Sequence, residues 1–165
     1  MFGRTALLTA ACLLVARPSA SSWTPGGTPV CTESHLQNVP AITADGAGGA
    51  IISWYDMRNG SSDIYAEHVL ASGEMDPAWP LNGSALCTAA GDQVTPKIAP
   101  DGAGGAIVVW EDFRGTDDDI YAQHVLSTGA VDPAWPADGL PVSTTAENQT
   151  QPAVVSDGAG GAFVA

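Results

Sequence analysis

The sequence predicts an all-β fold of repeated four-stranded antiparallel sheets, and three observations carry that prediction. The hexapeptide Asp-Gly-Ala-Gly-Gly-Ala begins at Asp45, Asp101 and Asp157, an even spacing of 56 residues. No window sustains a helical period, whereas short β-branched runs alternate with turn residues. Gly and Pro number 19 and 12 among 165 residues, too many for a helical bundle, and they recur in register with the repeat.

Superposing residues 40–81 on 96–137 leaves 25 of 42 positions identical without a gap, so the two stretches are copies of one structural unit. The register extends backwards through Trp23/Trp79/Trp135, Cys31/Cys87/Ser143, Gln37/Gln93/Gln149 and Pro40/Pro96/Pro152, and the repeat units run approximately 23–78, 79–134 and 135–165. Within one period the first strand covers residues 95–99 and ends at the Pro100-Asp101-Gly102 turn. The second, residues 106–112, is β-branched and contains Trp110. The third covers 119–126 and the fourth 140–144. The glycines at 102, 104 and 105 suit a backbone turning with positive φ between the first two strands.

Four short antiparallel strands in about 50 residues is the pattern of a β-propeller blade, whose two apolar faces need neighbouring blades. A chain with about two and a half such units is an incomplete ring, because closed propellers hold about 4 to 8 blades. The expectation is a piece of a longer product, the missing blades lying in the same chain. A short protomer that closes a ring as a homo-oligomer is the alternative.

The string Pro-x-Ile-x-x-Asp-Gly, followed by Gly-Ala-Ile-x-x-Trp-x-Asp-x-Arg and Asp-Ile-Tyr-Ala, resembles the TolB-like, WD40-like propeller repeat over residues 40–66 and 96–122 and restarts at 152. It is similar also to bacterial exported propellers carrying Trp-x-Asp-x-Arg and Asp-Ile-Tyr-Ala repeats. The resemblance implies the propeller fold and assigns no catalytic residue. The connection over residues 126–142, with its Asp-Pro-Ala-Trp-Pro, departs from the TolB pattern.

Residues 1–22 read as a secretory signal peptide. Arg4 is the positive n-region, residues 5–16 the apolar core, and the Ser/Ala run before Trp23 a cleavage region, with cleavage after Ser21 or Ser22. The apolar run is too short to span a bilayer, so no membrane span is expected once the signal is removed. The protein is accordingly expected to be exported, to the periplasm, the cell surface or the medium, as a partial propeller of residues 23–165. A formal charge of −13, from 18 acidic and 5 basic residues, argues against nucleic acid as a partner. It favours a solvated acidic exterior.

The recurring residues Asp45, Trp54, Asp56, Asp63 and Tyr65, with their counterparts Asp101, Trp110, Asp112, Asp119 and Tyr121, read as a structural signature. The tryptophans and tyrosines are expected to pack between blades. Asp56/Arg58 and Asp112/Arg114 stand two residues apart and suit charge-assisted hydrogen bonds, within each pair or to Asp63 and Asp119. Trp79 and Trp135, in Asp-Pro-Ala-Trp-Pro connections expected near the rim, are candidate ligand contacts, as are Arg58 and Arg114. Asp117, Asp118 and Asp119 are a calcium candidate, since calcium takes six to eight oxygens, but the preceding repeat has Ser61-Ser62-Asp63 there. No cofactor is otherwise implied. His68 and His124 recur in one column and read as structural. Cys31 and Cys87, equivalent positions of successive units, read as two buried thiols without a disulfide.

No nucleophile, zinc pair or phosphate loop stands out, and the near-uniform repeats lack the asymmetry a catalytic centre needs. The expected function is therefore an exported, non-enzymatic propeller module for binding or scaffolding, with a glycan or protein partner met by loops that differ between repeats. The alternatives are the N-terminal part of a sialidase- or glycosidase-like propeller hydrolase with its catalytic residues in missing blades, and a TolB-like periplasmic partner of an envelope complex.

Overall fold

The computed structural model describes residues 26–165; the expected signal peptide and Trp23 lie outside the described residues. Ten strands and no helix occur among them. Strands β1 (Gln37–Ala44), β2 (Ala50–Asp56), β3 (Asp63–Val69) and β4 (Ser84–Cys87) form a first sheet in the order β1-β2-β3-β4. Strands β5 (Gln93–Pro100), β6 (Ala106–Asp112), β7 (Asp119–Val125) and β8 (Leu140–Ser143) repeat it as a second sheet. Strands β9 (Val154–Ser156) and β10 (Ala162–Val164) form a third. All pairings are antiparallel, so each sheet is a meander. A sheet thus runs from 37 to 87 or from 93 to 143, and its fourth strand is drawn from the beginning of the next sequence unit.

The registers of the first two sheets are the same shifted by one period: Trp54 pairs with Tyr65 and Trp110 with Tyr121. The pairing of the first and second strands carries a bulge in both, at Val39 and at Thr95, where φ is 51° and 55°. The following Pro40 and Pro96 have no N–H for the ladder, and an extra residue absorbs the lost pairing. Gln151, before Pro152, shares the left-handed φ at 59°.

The turn between first and second strand is built by an aspartate. Asp101 Oδ1 accepts the N–H groups of Ala103 (2.7 Å) and Gly105 (2.9 Å), and Asp45 and Asp157 do the same with their own turns. Gly105 is needed for space: a Cβ there would collide with the Val125 carbonyl and stand 2.6 Å from the Asp101 carboxylate.

The core lies between sheets. Ile51, Ile64 and Ala66 of the first sheet cluster with Ala106, Val108, Trp110 and Val125 of the second. On the opposite face of the second sheet, Ile107, Val109 and Ala122 meet Val154, Ala162 and Val164 of the third. Alternate residues of β6 therefore point into two different cores, and every residue of that strand is buried. Strand β5 packs against the first sheet and β9 against β5, so the sheets follow one another in one sense. Among the described residues they are not closed on themselves, and the two end faces are left open.

Several hydrogen bonds staple the first sheet to the second. Trp79 Nε1 donates to the Ser127 carbonyl (3.1 Å), and Ser84 Oγ to the Gly129 carbonyl (2.6 Å). Gly129 lies under the indole, and a Cβ there would stand 2.8 Å from Trp79 Cγ. Residues 28–32 make the same contacts on the first sheet that residues 84–88 make on the second. Thr28 Oγ1 donates to the Gly73 carbonyl, and the Thr32 N–H to Asn82 Oδ1, as the Thr88 N–H does to Asp138 Oδ1. This segment thus stands where a fourth strand of a preceding sheet would stand.

Candidate functional site

The second and third strands bring one polar cluster together in each of the first two sheets. Asp112, fully buried at the end of β6, accepts from Trp110 Nε1 (2.8 Å), from the Arg114 backbone N–H (3.0 Å), and from Arg114 Nε and Nη2 (2.8 and 2.6 Å). The guanidinium lies over the Tyr121 ring at 3.9 Å and donates onward to the Asp138 carbonyl and Cys87 Sγ. The first sheet repeats this with Asp56, Trp54, Arg58, Tyr65, the Asn82 carbonyl and Cys31, except that Arg58 donates to Asp56 through Nη2 alone and its buried Nε has no hydrogen-bond partner. Burial works against the Asp56 carboxylate, but the bonds from Arg58 and Trp54 and the charge of Arg58 outweigh it and hold the carboxyl at about 2.

The arginines therefore bond within their pairs. Asp63 instead accepts from Asn59 and Ser61. With Nη2 donating to carboxylate, carbonyl and sulfur, and the guanidinium over a tyrosine, Arg58 and Arg114 act as structural ties in this arrangement.

At the other end of the strands a second cluster recurs. His68 stands between two carboxylates, with Nε2 at 3.0 Å from Asp45 and Nδ1 at 2.8 Å from Asp76. It thereby ties the glycine-rich turn to the Asp-Pro-Ala-Trp-Pro connection. His124 does the same with Asp101 and Asp132, at 3.0 and 2.9 Å. A neutral imidazole has one N–H for two carboxylates; the cation donates to both. Burial opposes the charge on His68, but the bonds to Asp45 and Asp76 and their charges raise its pKa above the ordinary 6.5. Asp45, despite desolvation, is held below 3.8 by His68 and the turn N–H groups. Asp76 is held below it by the Ala78 N–H first, then by His68.

The pH dependence follows from these directions. The His68 contribution is complete below pH 6.5 and is lost as pH rises through its higher folded value, whereas the carboxylate contributions are present above 3.8 and are lost as pH falls. Thermal unfolding followed by circular dichroism should show Tm falling as pH rises from about 6 to 8. His68→Gln should flatten that decline, and an unchanged slope in the variant would show that His68 does not carry it.

The other sequence candidates separate. Trp79 is buried in the inter-sheet core and not at a rim, because its connection folds back onto the next sheet; no face of its ring is open to a ligand. Trp135 is half-buried, against the second core and the His124 ring. Trp110 lies between the sheets, while Trp54 is stacked on Tyr65 beside an open groove. Asp117, Asp118 and Asp119 do not converge: among the described residues no three His, Cys, Asp or Glu side chains are grouped to hold a metal ion. Cys31 and Cys87 are free thiols. Cys31 is half-buried and not fully buried, while burial pushes the Cys87 thiol up to about 12, so it stays protonated.

A run of four consecutive differences between the two sheets falls in the loop from second to third strand, residues 57–62 against 113–118. Each loop is docked onto the segment leading into the next sheet in the same way: the Ser62 carbonyl accepts from the Gln93 N–H and the Asp118 carbonyl from the Gln149 N–H, both at 2.7 Å. The scaffold is constant and the tips vary, Asn-Gly-Ser-Ser in one and Gly-Thr-Asp-Asp in the other. The carboxylate–histidine–carboxylate clamps and the Trp79 staple are absent from the sequence reading. Their signal was the recurrence of Asp45, His68, Asp76 and Trp79 one period apart. Comparison with protein-family models, with curated proteins and with solved structures found no match.

Proposed function

We propose that the chain forms successive blades of a β-propeller of the TolB-like type and serves as an exported, non-enzymatic binding or scaffold module for a glycan or protein partner. Support for the blade geometry comes from the same-sense stacking of the sheets and from one hollow lined by Ile42, Ile98 and Val154 of the first strands β1, β5 and β9. The observation that carries the function is the contrast between polar clusters and loops. Arginine, histidine and tryptophan recur with the same internal partners in both sheets, which leaves them no reacting group to serve. The tips of the second-to-third-strand loops change chemistry over four consecutive positions between copies, Asn-Gly-Ser-Ser against Gly-Thr-Asp-Asp. Variable loops on a constant scaffold are how repeat folds present a binding surface.

A glycan array probed with the full chain tests this, beside a variant whose residues 115–118 are replaced by Asn-Gly-Ser-Ser. Binding that changes with the loop is expected. Cleavage of an arrayed glycan, or binding indifferent to the loop, would overturn the reading. Absence of any binding removes the glycan version and leaves a protein partner.

A further inference from the structure

At one place the first sheet fills a space with its own side chain and the second does not. Asn59, at the tip of the loop before β3, turns its carboxamide inward. Its single nitrogen, Nδ2, donates to the Asp63 carboxylate at 2.9 Å and to the Tyr65 hydroxyl at 3.2 Å. Ser61 Oγ donates to the other oxygen of the same carboxylate. Asp63 and Tyr65 are buried beneath these donors, at 1% and 6% exposure.

Asp119 and Tyr121 hold the same positions in the second sheet, two residues apart on one face of β7. Both donors are gone there. Gly115 stands in place of Asn59 and Asp117 in place of Ser61, and an ionised aspartate has no proton to offer. Among the described residues the Asp119 carboxylate and the Tyr121 hydroxyl have no hydrogen-bond partner, and both residues are half-buried. Coverage of the sheets does not cause this difference. Tyr121 packs against the core between the first two sheets, whereas the buried Tyr65 stacks on Trp54 beside the open groove. The notch has room for a stem: a Cβ on Gly115 would stand 3.6 Å from Asp119 Oδ2, an ordinary contact distance.

What this notch takes follows from what Asn59 brings to its counterpart, a nitrogen with two N–H groups on a narrow stem. The exchange of Ser61 for Asp117 adds a negative charge to the loop, and the chain carries −13, so a cation is favoured over a neutral amide. Arg114, over the Tyr121 ring, has its own charge offset by Asp112. A primary ammonium supplies the N–H groups and the charge. The linear stem of lysine also keeps the width of a side chain, whereas an amino sugar brings its ring.

We propose that Asp119 and Tyr121 bind the ε-ammonium of a lysine on a protein partner, seated where Asn59 places its amide nitrogen in the first sheet. The inference rests on the reading of these loops as a binding surface and names the ligand of one of them.

The test is a titration of the full chain with Nα-acetyl-lysine methylamide, followed by nitrogen–proton correlation spectra. Saturable shifts are expected over residues 115–121 and not over 59–65. The Nε-acetylated analogue, which keeps one N–H and no charge, should leave the spectrum unchanged. Asp119→Asn should weaken binding about tenfold and Tyr121→Phe roughly fivefold. Gly115→Asn restores the carboxamide at a position whose φ is not positive, and should abolish the shifts with an unchanged circular dichroism spectrum. The converse change, Asn59→Gly with Ser61→Asp, should open the same notch in the first sheet and add shifts over 59–65. No response over 115–121 in the wild type, or a response that survives Gly115→Asn, overturns the proposal. Equal shifts with glucosamine would assign the notch to an amino sugar and overturn the protein partner. Loop-dependent glycan binding without a response to the lysine compound would leave the loops as the binding surface and remove this inference alone.

Discussion

Trp110→Ala is expected to lower the unfolding free energy by about 4 kcal/mol, within the range for deleting a fully enclosed indole. Trp110 has no exposed surface and lies in the cluster joining the first two sheets. Its ring edge fills the space over Gly139, where a Cβ would stand 2.7 Å away, and its Nε1 is one of the donors holding Asp112. The loss therefore combines transfer of the ring, a cavity between two sheets, and a buried carboxylate short of one partner. The chain contains its own control. Trp54 has the same hydrogen bond and the same glycine beneath it, but it borders an open groove lined by Val30, Gln37, Pro40 and Ile52. Truncating it widens a groove that water already reaches, so Trp54→Ala should cost roughly 1 kcal/mol less. Urea unfolding followed by far-ultraviolet circular dichroism gives both values, and equal losses would contradict the assignment of Trp110 to the inter-sheet core.

The strands were legible because the repeat displays each element twice. Strand β6 spans the predicted 106–112 without change, its β-branched run bounded by a glycine turn and an Asp/Arg pair. Strand β5 begins at Gln93, two residues before the prediction, because Pro96 looks like a strand boundary when it is the far side of a bulge at Thr95. Trp79 was misjudged for a different reason. Its Asp-Pro-Ala-Trp-Pro sequence reads as a surface loop by local pattern, and only the stacking of the next sheet, through Ser127 and Gly129, buries it.

The polar clusters were legible as columns but not as contacts. Asp45, His68 and Asp76 are 23 and 8 residues apart, and they meet only because the pairing of β2 with β3 returns His68 to the glycine turn. The aspartate run at 117–119 shows the converse. Neighbours along an extended backbone point to opposite sides, so adjacency in sequence works against a shared cation site as a strand begins at Asp119.

Asp112 carries the second large effect, and here the chemistry can be separated from packing. Asp112→Ala should cost about 3 kcal/mol, because it leaves the Trp110 Nε1 without an acceptor inside the core and removes the countercharge of Arg114. The Arg114 side chain is 23% exposed, so it can turn toward water when its partner is lost, which keeps the cost at the low end for a broken buried pair. Asp112→Asn retains the shape and one acceptor oxygen but turns an amide N–H toward a guanidinium. About half of the loss should therefore remain with no cavity created. Arg114→Met strands the carboxylate instead, at the position that has no exposure at all, and should be at least as costly as the asparagine. The two single changes share one interaction, so the double variant Asp112→Asn/Arg114→Met should lose clearly less than the sum of its parts, with a coupling of about 1–2 kcal/mol. Additive losses would mean that Arg114 is held by Tyr121 and the Asp138 carbonyl, and that the charge pair in the repeat is a by-product of their geometry. The same cycle on Asp56 and Arg58, whose carboxyl is held at about 2, should give a coupling of similar size. The Nη2 bond and the buried carboxylate are common to both pairs, while the first-sheet pair lacks the Nε bond and its sheet face is less covered.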